Sequence, residues 1–203
     1  MSANNGGIKF SEWIQDGFAL YKQSIGIWIG ASALAVLISL VSFGLLAGPL
    51  MAGLSWMALA MADRKTPAPQ VGDVFKGFDW FLQSFLFHIV WGILLMAVSF
   101  VLNFIFCIGT VLSIAVNVAV STAIMFGLFL IVDRKLDFWP ASLASWEAVK
   151  PRLFPMLGLY VVSAVIGLCG LIACGIGVIA TLPIMVCILA VAYREVFGQP
   201  AGA

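Results

Sequence analysis

Within the longest uncharged stretch of the chain, residues 82–132 read LQSFLFHIVWGILLMAVSFVLNFIFCIGTVLSIAVNVAVSTAIMFGLFLIV. It is apolar along most of its length, and a short turn at Cys107–Thr110 divides it into two segments. A helix rises about 1.5 Å per residue and the hydrocarbon core of a bilayer is about 30 Å thick, so each segment is long enough to cross it. The stretch therefore predicts a hairpin of two transmembrane helices.

Two more stretches of the chain have the same organisation, with short uncharged turns at Gly44–Pro49 and Ala173–Gly177. The composition agrees, because 63% of the 203 residues are hydrophobic and 9% are charged, which is too apolar for one soluble core. Unpaired backbone groups are costly in hydrocarbon and period-two alternation is weak, so the spans should be helices and not barrel strands. We predict an all-α, polytopic membrane helix bundle that forms a single domain over residues 1–203. Its six spans are expected at about 25–46, 45–62, 82–108, 110–132, 153–173 and 176–193.

All formal charges, ten basic and nine acidic, lie in segments that can face the same side of the membrane. These segments are residues 9–22, 63–79, 133–152 and 194–195. The three turns on the opposite side contain no lysine or arginine. Because basic loops stay in the cytoplasm, we expect both termini on the cytoplasmic side of a bacterial inner membrane. The start of the chain is too polar and too mixed in charge for a secretory signal.

An amphipathic stretch precedes each predicted hairpin. Its apolar residues fall near one face of a helix, as in interfacial helices whose aromatic rings lie at headgroup depth. We expect Asp73 to be the N-cap of the second helix, and the third to open at Pro140 and end before Pro151. These helices either form a structural collar around the bundle or bind a partner or anionic lipid. Their apolar residues are Phe10, Trp13, Ile14, Phe18 and Tyr21, then Val74, Phe75, Phe78 and Phe81, then Leu143, Trp146 and Val149.

Short sequence matches indicate that the three hairpins are diverged copies of one unit. A repeat of this length is typical of a supersecondary unit that packs against its neighbours. We predict pseudo-repeats over about 8–65, 72–135 and 140–197, the third ending in the weaker match Tyr193-Arg194-Glu195. The stronger matches are Gly17-Phe18 with Gly77-Phe78, Gln23-Ser24 with Gln83-Ser84, and Asp63-Arg64-Lys65 with Asp133-Arg134-Lys135.

Two predicted spans carry residues that disturb a helix. From Pro49 only 14 residues remain before Asp63, about 21 Å of helix, so either the bilayer thins there or the turn lies earlier, near Gly44. Pro183 lies inside the sixth span, where it removes a hydrogen bond and kinks the helix. Such breaks either serve packing or mark a binding site in a transporter.

Polar side chains follow one face of each helix in the second predicted hairpin, and we call them the polar seam. After Thr110, polar residues occur three, seven and eleven positions later, which places them on one helix face. Asn103 and Asn117 lie at similar distances from the turn, so their amides are placed to hydrogen-bond across the hairpin. The seam either packs dry or lines a narrow path for water or a small neutral solute. Its residues are His88, Ser99, Asn103, Thr110, Ser113, Asn117 and Ser121.

The residue types inside the spans exclude most kinds of chemistry. The predicted spans contain no Asp, Glu, Lys or Arg, which argues against a proton-coupled transporter, and the chain has no hydrolase, metalloprotease or phosphate-loop motif. The net charge of +1 gives no basic field for nucleic acid. Four cysteines without a CxxC pair or a histidine cluster argue against a metal site. Cys107 and Cys174 border two turns, and the sequence leaves open whether they form a disulfide.

Four short motifs carry a resemblance to known proteins. They are Gly48-Pro49-Leu50-Met51-Ala52-Gly53, Val132-Asp133-Arg134-Lys135-Leu136-Asp137, Ala144-Ser145 and Ala192-Tyr193-Arg194-Glu195. With them the chain resembles a broad group of bacterial integral membrane proteins of unknown function, over most of its length. The resemblance implies a six-helix bundle with a GPL-type turn, a DR motif after the fourth span and an AYR-type ending. It implies no catalytic residues.

These observations lead to two hypotheses on function. The first is a non-enzymatic multi-pass protein without a cofactor, which acts as a structural, assembly or accessory component through its bundle and its cytoplasmic amphipathic collar. The second is a permease or channel for a small neutral solute or a lipid, working as an oligomer. Besides the bilayer, the expected partners are further copies of the chain or another membrane protein.

Overall fold

A computed structural model describes residues 10–104, 109–172 and 177–198, and these residues form helices and short connections without a strand. The all-α prediction is confirmed for this part of the chain. The α-helices are α1 Phe10–Gln23, α2 Ile25–Val41, α3 Ala47–Ala62, α4 Phe81–Asn103, α5 Gly109–Ile124, α6 Gly127–Arg134, α7 Phe138–Val149, α8 Leu153–Ile172 and α9 Val178–Phe197. Two 3₁₀ helices, η1 Val71–Trp80 and η2 Lys150–Arg152, lead into α4 and α8.

Four helical segments of the described chain are long and apolar enough to cross a membrane. They are residues 71–103, 109–134, 138–170 and 178–197. Helices α1 and α2 give a fifth if they are taken together, although they meet at 91°. Helix α3 is apolar but has only 16 residues, about 24 Å of helix. The structure therefore supports a multi-pass helical membrane protein, whereas the count of six spans stays a prediction.

Helices α3, α6 and α9 form the centre of the bundle, where most residues of α3 and α6 are buried and α9 is buried along residues 186–190. Helix α3 packs against both α6 and α9. Between α6 and α9 the rings of Phe129 and Tyr193 stack with their centroids 5.5 Å apart. Helices α4 and α8 expose large apolar side chains instead, such as Phe100 and Leu168. The bundle thus has an inner set of helices shielded from its surroundings and an outer set whose apolar surface suits contact with lipid.

The three amphipathic elements α1, η1 and α7, here called the collar, each pack on an inner helix of a different hairpin. η1 leads into α4 but packs on α3, and α7 precedes α8 but packs on α6. The first element, α1, packs on α9 near the other end of the chain. The collar therefore links each hairpin to the preceding one and closes into a ring. This cyclic order is what three repeats would give, and the repeat itself stays a prediction.

Close contact between the collar and the inner helices depends on two glycines. A Cβ atom on Gly17 would lie 2.6 Å from the Cα atom of Ile188 on α9. A Cβ atom on Gly77 would overlap the carbonyl oxygen of Pro49 on α3. Gly17 and Gly77 are the glycines of the two matching Gly-Phe pairs. Each one lets a collar element touch the backbone of an inner helix, which no larger residue would allow.

The fourth predicted span is broken at Met125 and Phe126, between α5 and α6. A break leaves backbone groups without helical partners. The hydroxyl of Ser145 on α7 serves as the missing partner for two of these groups. Its Oγ donates to the Ala123 carbonyl at 2.7 Å and accepts from the Phe126 N–H at 3.2 Å. Ser145 is fully buried, so the third collar element is fixed to the inner helix at this break. The break could not be predicted from the sequence, because Met125 and Phe126 are ordinary residues of a span.

Two predicted starts of collar helices are wrong, and in each case a side-chain hydrogen bond sets the start. Asp73 is the third residue of η1 and not its N-cap, which is Gln70. The Asp73 carboxylate accepts the Gln70 N–H at 2.7 Å and closes a reciprocal capping box, so the helix begins earlier and as a 3₁₀ helix. Helix α7 begins at Phe138 and not at Pro140, because the Gln83 side-chain oxygen accepts the Phe138 N–H at 2.9 Å.

The two disturbed spans have different outcomes. The first hairpin turns at residues 42–46, where Phe43 and Gly44 have positive φ angles, and α3 begins before Gly48-Pro49. Of the two alternatives, the earlier turn near Gly44 is confirmed. Pro183 lies buried within the continuous helix α9.

Candidate functional site

Three charged residues from three different hairpins meet where α3, α6 and α9 end, and we call them the lock. Asp63 follows α3, whereas Asp133 and Arg194 lie in the last turns of α6 and α9. The Arg194 guanidinium lies 2.7 Å from the Asp63 carboxylate and 2.8 Å from the Asp133 carboxylate. The Arg194, Asp63 and Asp133 side chains are only 12%, 8% and 6% exposed, so their contacts are largely shielded from water.

All five N–H donors of Arg194 have acceptors. Nε and one Nη2 donor bind the two carboxylate oxygens of Asp63 at 2.8 and 2.7 Å. The second Nη2 donor and one Nη1 donor bind the two oxygens of Asp133, both at 2.8 Å. The last Nη1 donor lies 3.3 Å from the Gly198 carbonyl oxygen. A planar guanidinium held by two bidentate carboxylates has a single favourable orientation, so the lock fixes the ends of three helices relative to one another.

Tyr193 connects the lock to an aromatic stack between α6 and α9. Its hydroxyl donates to Oδ2 of Asp133 at 2.9 Å. Its ring centroid lies 4.8 Å from that of Phe197 and 5.5 Å from that of Phe129. Arg134 adds a hydrogen bond of 2.8 Å to the Phe197 carbonyl. Since Tyr193 is fully buried, the stack fills the space between the two inner helices directly beside the lock.

The energetics of the lock favour specificity over net stability. Removing charges from water costs several kcal/mol per ion, so a buried pair gains about nothing over well-packed apolar residues. Removing one partner is different, because it leaves an uncompensated charge and costs about 3–5 kcal/mol. Without Arg194, the carboxylates of Asp63 and Asp133 would also repel each other. The lock therefore penalises every arrangement in which the three helix ends do not meet.

Two cavities with charged linings border the lock. The larger, about 530 Å³, is bounded by α1, α3 and α9, and its polar lining residues are Asp16, Gln23, Asp63, Arg64 and Arg194. The smaller cavity has a volume of about 210 Å³, and no residue of α1 is among those that line it. Its polar and aromatic lining residues are Trp56, Lys65, Trp80, Asp133, Lys135 and Arg194.

Two other cavities are almost wholly apolar. One of about 450 Å³ lies at the turn between α2 and α3, and Ser39 is the only residue with a polar side chain among those that line it. Leu182 of α9 also lines it. The other, of about 150 Å³, lies among α3, α4, α5, α6, α8 and α9 and includes Ser55 and Ser121.

The polar seam is partly assembled, with partners that differ from the expected ones. Asn103 and Asn117 do not bond to each other in the described structure. Thr110 donates to the Asn103 side-chain oxygen at 3.0 Å, and the Asn117 amide donates to Ser99 Oγ and to the Ser113 carbonyl, both at 2.8 Å. Each amide finds a hydroxyl on the opposite helix, because a hydroxyl can both donate and accept.

Two predicted seam residues lie apart from this network. Ser121 lines the apolar cavity of about 150 Å³. His88 is exposed on α4 and makes no hydrogen bond within the described part of the chain. Its Cβ atom would lie 2.9 Å from a Cβ atom on Gly48. The structure thus brings five of the seven seam residues together and leaves His88 and Ser121 outside.

Sequence reasoning missed the lock as a site. The sequence did contain a signal for it, because three related triplets were predicted to lie on one side of the membrane. Two of them begin with Asp63 and Asp133, and the weaker third contains Arg194. Nothing in the sequence says that these charges pair with one another, since the contacts join residues 131 and 61 positions apart. Cys107 and Cys174 lie outside the described residues, so the structure does not test whether they form a disulfide.

The fold and the lock define a helical protein with several segments that can span a membrane. Comparisons of the chain with known protein families, curated proteins and solved structures give no match in any of the three. The resemblance to bacterial six-helix membrane proteins therefore stays a prediction.

Proposed function

We propose that the chain is a non-enzymatic membrane scaffold, with a structural, assembly or accessory role that it performs through its bundle and collar. The observation that carries this proposal is the closed ring of collar contacts around the lock. Such a ring holds three hairpins in one arrangement and presents a fixed surface at the charged end of the bundle.

The interior of the bundle favours a scaffold over a conduit. At the charged end, the stack of Tyr193, Phe129 and Phe197 occupies the space between two inner helices. Further along α3, Leu54 and Met57 are fully buried. The bonded part of the polar seam uses its donors within one hairpin, where they serve packing.

The collar also offers a surface for a partner. Trp139, Leu143 and Trp146 are 54%, 48% and 40% exposed on α7, at positions that share one helix face. Exposed aromatic residues of this kind are enriched where proteins meet other proteins or the membrane interface. This ridge is the surface through which the scaffold would hold another membrane protein.

The topology belongs to the same proposal. We infer six spans in a bacterial inner membrane, with both termini in the cytoplasm, because the basic residues gather at the lock end. The test is cysteine labelling in a variant whose four native cysteines are serine. Pro67→Cys should react with an impermeant thiol reagent only after the cells are permeabilised, whereas Phe43→Cys, in the turn between α2 and α3, should react in intact spheroplasts. The reverse pattern would contradict the orientation.

The test of the scaffold role compares assembly with transport. Blue native electrophoresis of membranes should place the tagged protein in a complex larger than its own oligomer. Leu143→Ser, on the exposed ridge of α7, should release it from this complex. The matched control is Phe154→Ser, an exposed apolar residue outside the collar that should leave the complex intact.

In the transport arm, liposomes with the purified protein should pass water, glycerol and urea no faster than protein-free liposomes. Selective flux that Ser121→Trp abolishes would contradict the scaffold and favour a channel, since Ser121 lines an internal cavity.

A second candidate, a permease that handles lipid and works as an oligomer, is favoured by the apolar cavity of about 450 Å³ at the turn between α2 and α3. A cavity with this lining suits an acyl chain. A dithionite assay for scrambling of fluorescent lipid in proteoliposomes separates the two. Ala35→Phe should fill the cavity. If the wild type scrambles lipid and this substitution stops it, the permease is supported.

A further inference from the structure

The smaller cavity beside the lock combines two lysines with two tryptophans. Lys65 and Lys135 line it together with Trp56 and Trp80, in a volume of about 210 Å³. The two lysines are the last residues of the matching Asp-Arg-Lys triplets, 70 positions apart in the chain. The fold therefore brings two lysines from matching triplets to one concave site, where both residues stay exposed to solvent.

The acidic groups at this site are already occupied. Both oxygens of Asp133 accept hydrogen bonds from Arg194, and Oδ2 also accepts one from Tyr193. The five donors of Arg194 are occupied as well. Lys65 and Lys135 have no salt-bridge partner among the residues that the structure describes. Their ammonium groups are therefore the free hydrogen-bond donors with full charge at this cavity.

The three triplets that supply the lock carry a net positive charge. The three triplets contain five basic residues and three acidic ones, Asp63, Asp133 and Glu195, which gives 5 − 3 = +2. Glu195 accepts a hydrogen bond from the buried indole of Trp13, on the α1 side. An anion would complement this excess, and a membrane lipid brings its phosphate to the depth at which tryptophan and lysine side chains gather.

The backbone holds both lysines at helix ends. Arg64, two residues after α3, has a left-handed φ of 53°, and the Lys65 N–H then bonds back to the Ala60 carbonyl at 2.9 Å. Lys135 itself ends α6 with a φ of 54°. A left-handed residue just after the last turn is a common way for a helix to end. Each lysine thus begins from a fixed turn next to the cavity.

We propose that the cavity of Lys65, Lys135, Trp56 and Trp80 is a binding site for a phosphate group, with the two ammonium groups as its donors. The phosphate comes either from the headgroup of an anionic membrane lipid or from free phosphate, and the aromatic walls favour the lipid. This site stands on its own residues and does not depend on the scaffold role.

The test uses the full chain, purified in a neutral detergent. Native mass spectrometry measures how much phosphatidylglycerol it retains, in competition with phosphatidylcholine, and calorimetry measures binding of inorganic phosphate. At 0.15 M salt, Lys65→Gln with Lys135→Gln should lower the affinity for phosphatidylglycerol about tenfold. The control, Lys150→Gln with Arg152→Gln, removes the same charge from the exposed η2 and should change it by less than about twofold.

Each outcome decides the proposal. Equal losses in both double variants would mean diffuse attraction to a basic surface, and no loss in either would mean that the lysines only neutralise helix ends; both results would overturn the site. Inorganic phosphate binding with the same lysine dependence, without retained lipid, would assign the site to free phosphate. Lys65→Arg with Lys135→Arg keeps the charges and should keep binding. That variant, together with circular dichroism of the Gln pair, separates loss of the site from loss of the fold.

Discussion

The lock and the polar seam are both networks of polar side chains in an apolar helix bundle, but they hold different parts of the chain together. The contacts of the lock join residues 131 and 61 positions apart in sequence, whereas the bonds of the seam join residues 4 to 18 positions apart. The lock is nearly excluded from solvent, and Asn103 of the seam is exposed. Local polar pairs therefore set the register of one hairpin, and long-range charged pairs decide how the hairpins are arranged.

The largest expected effect is at the lock. Arg194→Met leaves Asp63 and Asp133 as adjacent carboxylates without a counter-ion, so we expect a loss of about 3–5 kcal/mol in the free energy of unfolding. The measurement is SDS titration of the protein in mixed micelles, followed by circular dichroism. Arg152→Met is the matched control, because it removes an exposed arginine and should cost less than about 0.5 kcal/mol.

A triple variant sharpens this prediction. Adding Asp63→Asn and Asp133→Asn to Arg194→Met removes the repulsion, so part of the loss should be recovered. A loss below about 1 kcal/mol for Arg194→Met would show that the lock is no more important than the seam. The lock and the seam would then contribute similarly to stability.

The next effect tests whether the ring of collar contacts matters as much as the lock. Gly77→Ala forces a Cβ atom into the backbone of α3, and we expect it to cost about 2–3 kcal/mol. Gly72→Ala, in the same 3₁₀ helix, meets no atom within 4 Å and should be nearly neutral. Both are measured by SDS titration. Equal effects of the two substitutions would mean that η1 does not pack closely on α3.

The seam should respond weakly. Asn117→Leu removes the bonds to Ser99 and Ser113, but Ser99 keeps its bond to the Leu95 carbonyl at 2.7 Å. We therefore expect a loss of about 1 kcal/mol, with a coupling to Ser99→Ala of about 0.6 kcal/mol in a double-mutant cycle. A coupling above about 2 kcal/mol would place the seam in the same class as the lock.

The smallest effect concerns the turn that places Lys65. Arg64 has a left-handed backbone, so Arg64→Gly should relieve strain and gain about 0.5 kcal/mol. Arg64→Ala removes the same side chain and keeps the strain, and it should give no gain. If both substitutions have the same effect in the SDS titration, the side chain of Arg64 and not its backbone determines the stability of this turn.

Much of the fold could be predicted because it rests on patterns along the chain. The run from Leu82 to Val132 predicts long apolar helices, and amphipathic spacing predicts α1, η1 and α7. The helix starts at Asp73 and Pro140 were wrong because side chains of Gln70 and Gln83 decide them, and one of these is more than fifty residues away from its partner. The break between α5 and α6 was missed for the same reason, since its partner, Ser145, lies on another element.

The common side of the charged segments stays a prediction, whereas the sequence alone was enough to predict apolar helices that can span a membrane, because hydropathy and periodicity act residue by residue. The sequence also placed the triplets of Asp63, Asp133 and Arg194 at comparable helix ends. Three features could be seen only in the folded chain: Arg194 binds both carboxylates, each collar element packs on the preceding hairpin, and Lys65 and Lys135 line one cavity. The physical reason is that these contacts depend on which helix faces meet, and that choice is made by close packing at Gly17 and Gly77 and by pairing of buried charges, both of which join distant parts of the chain.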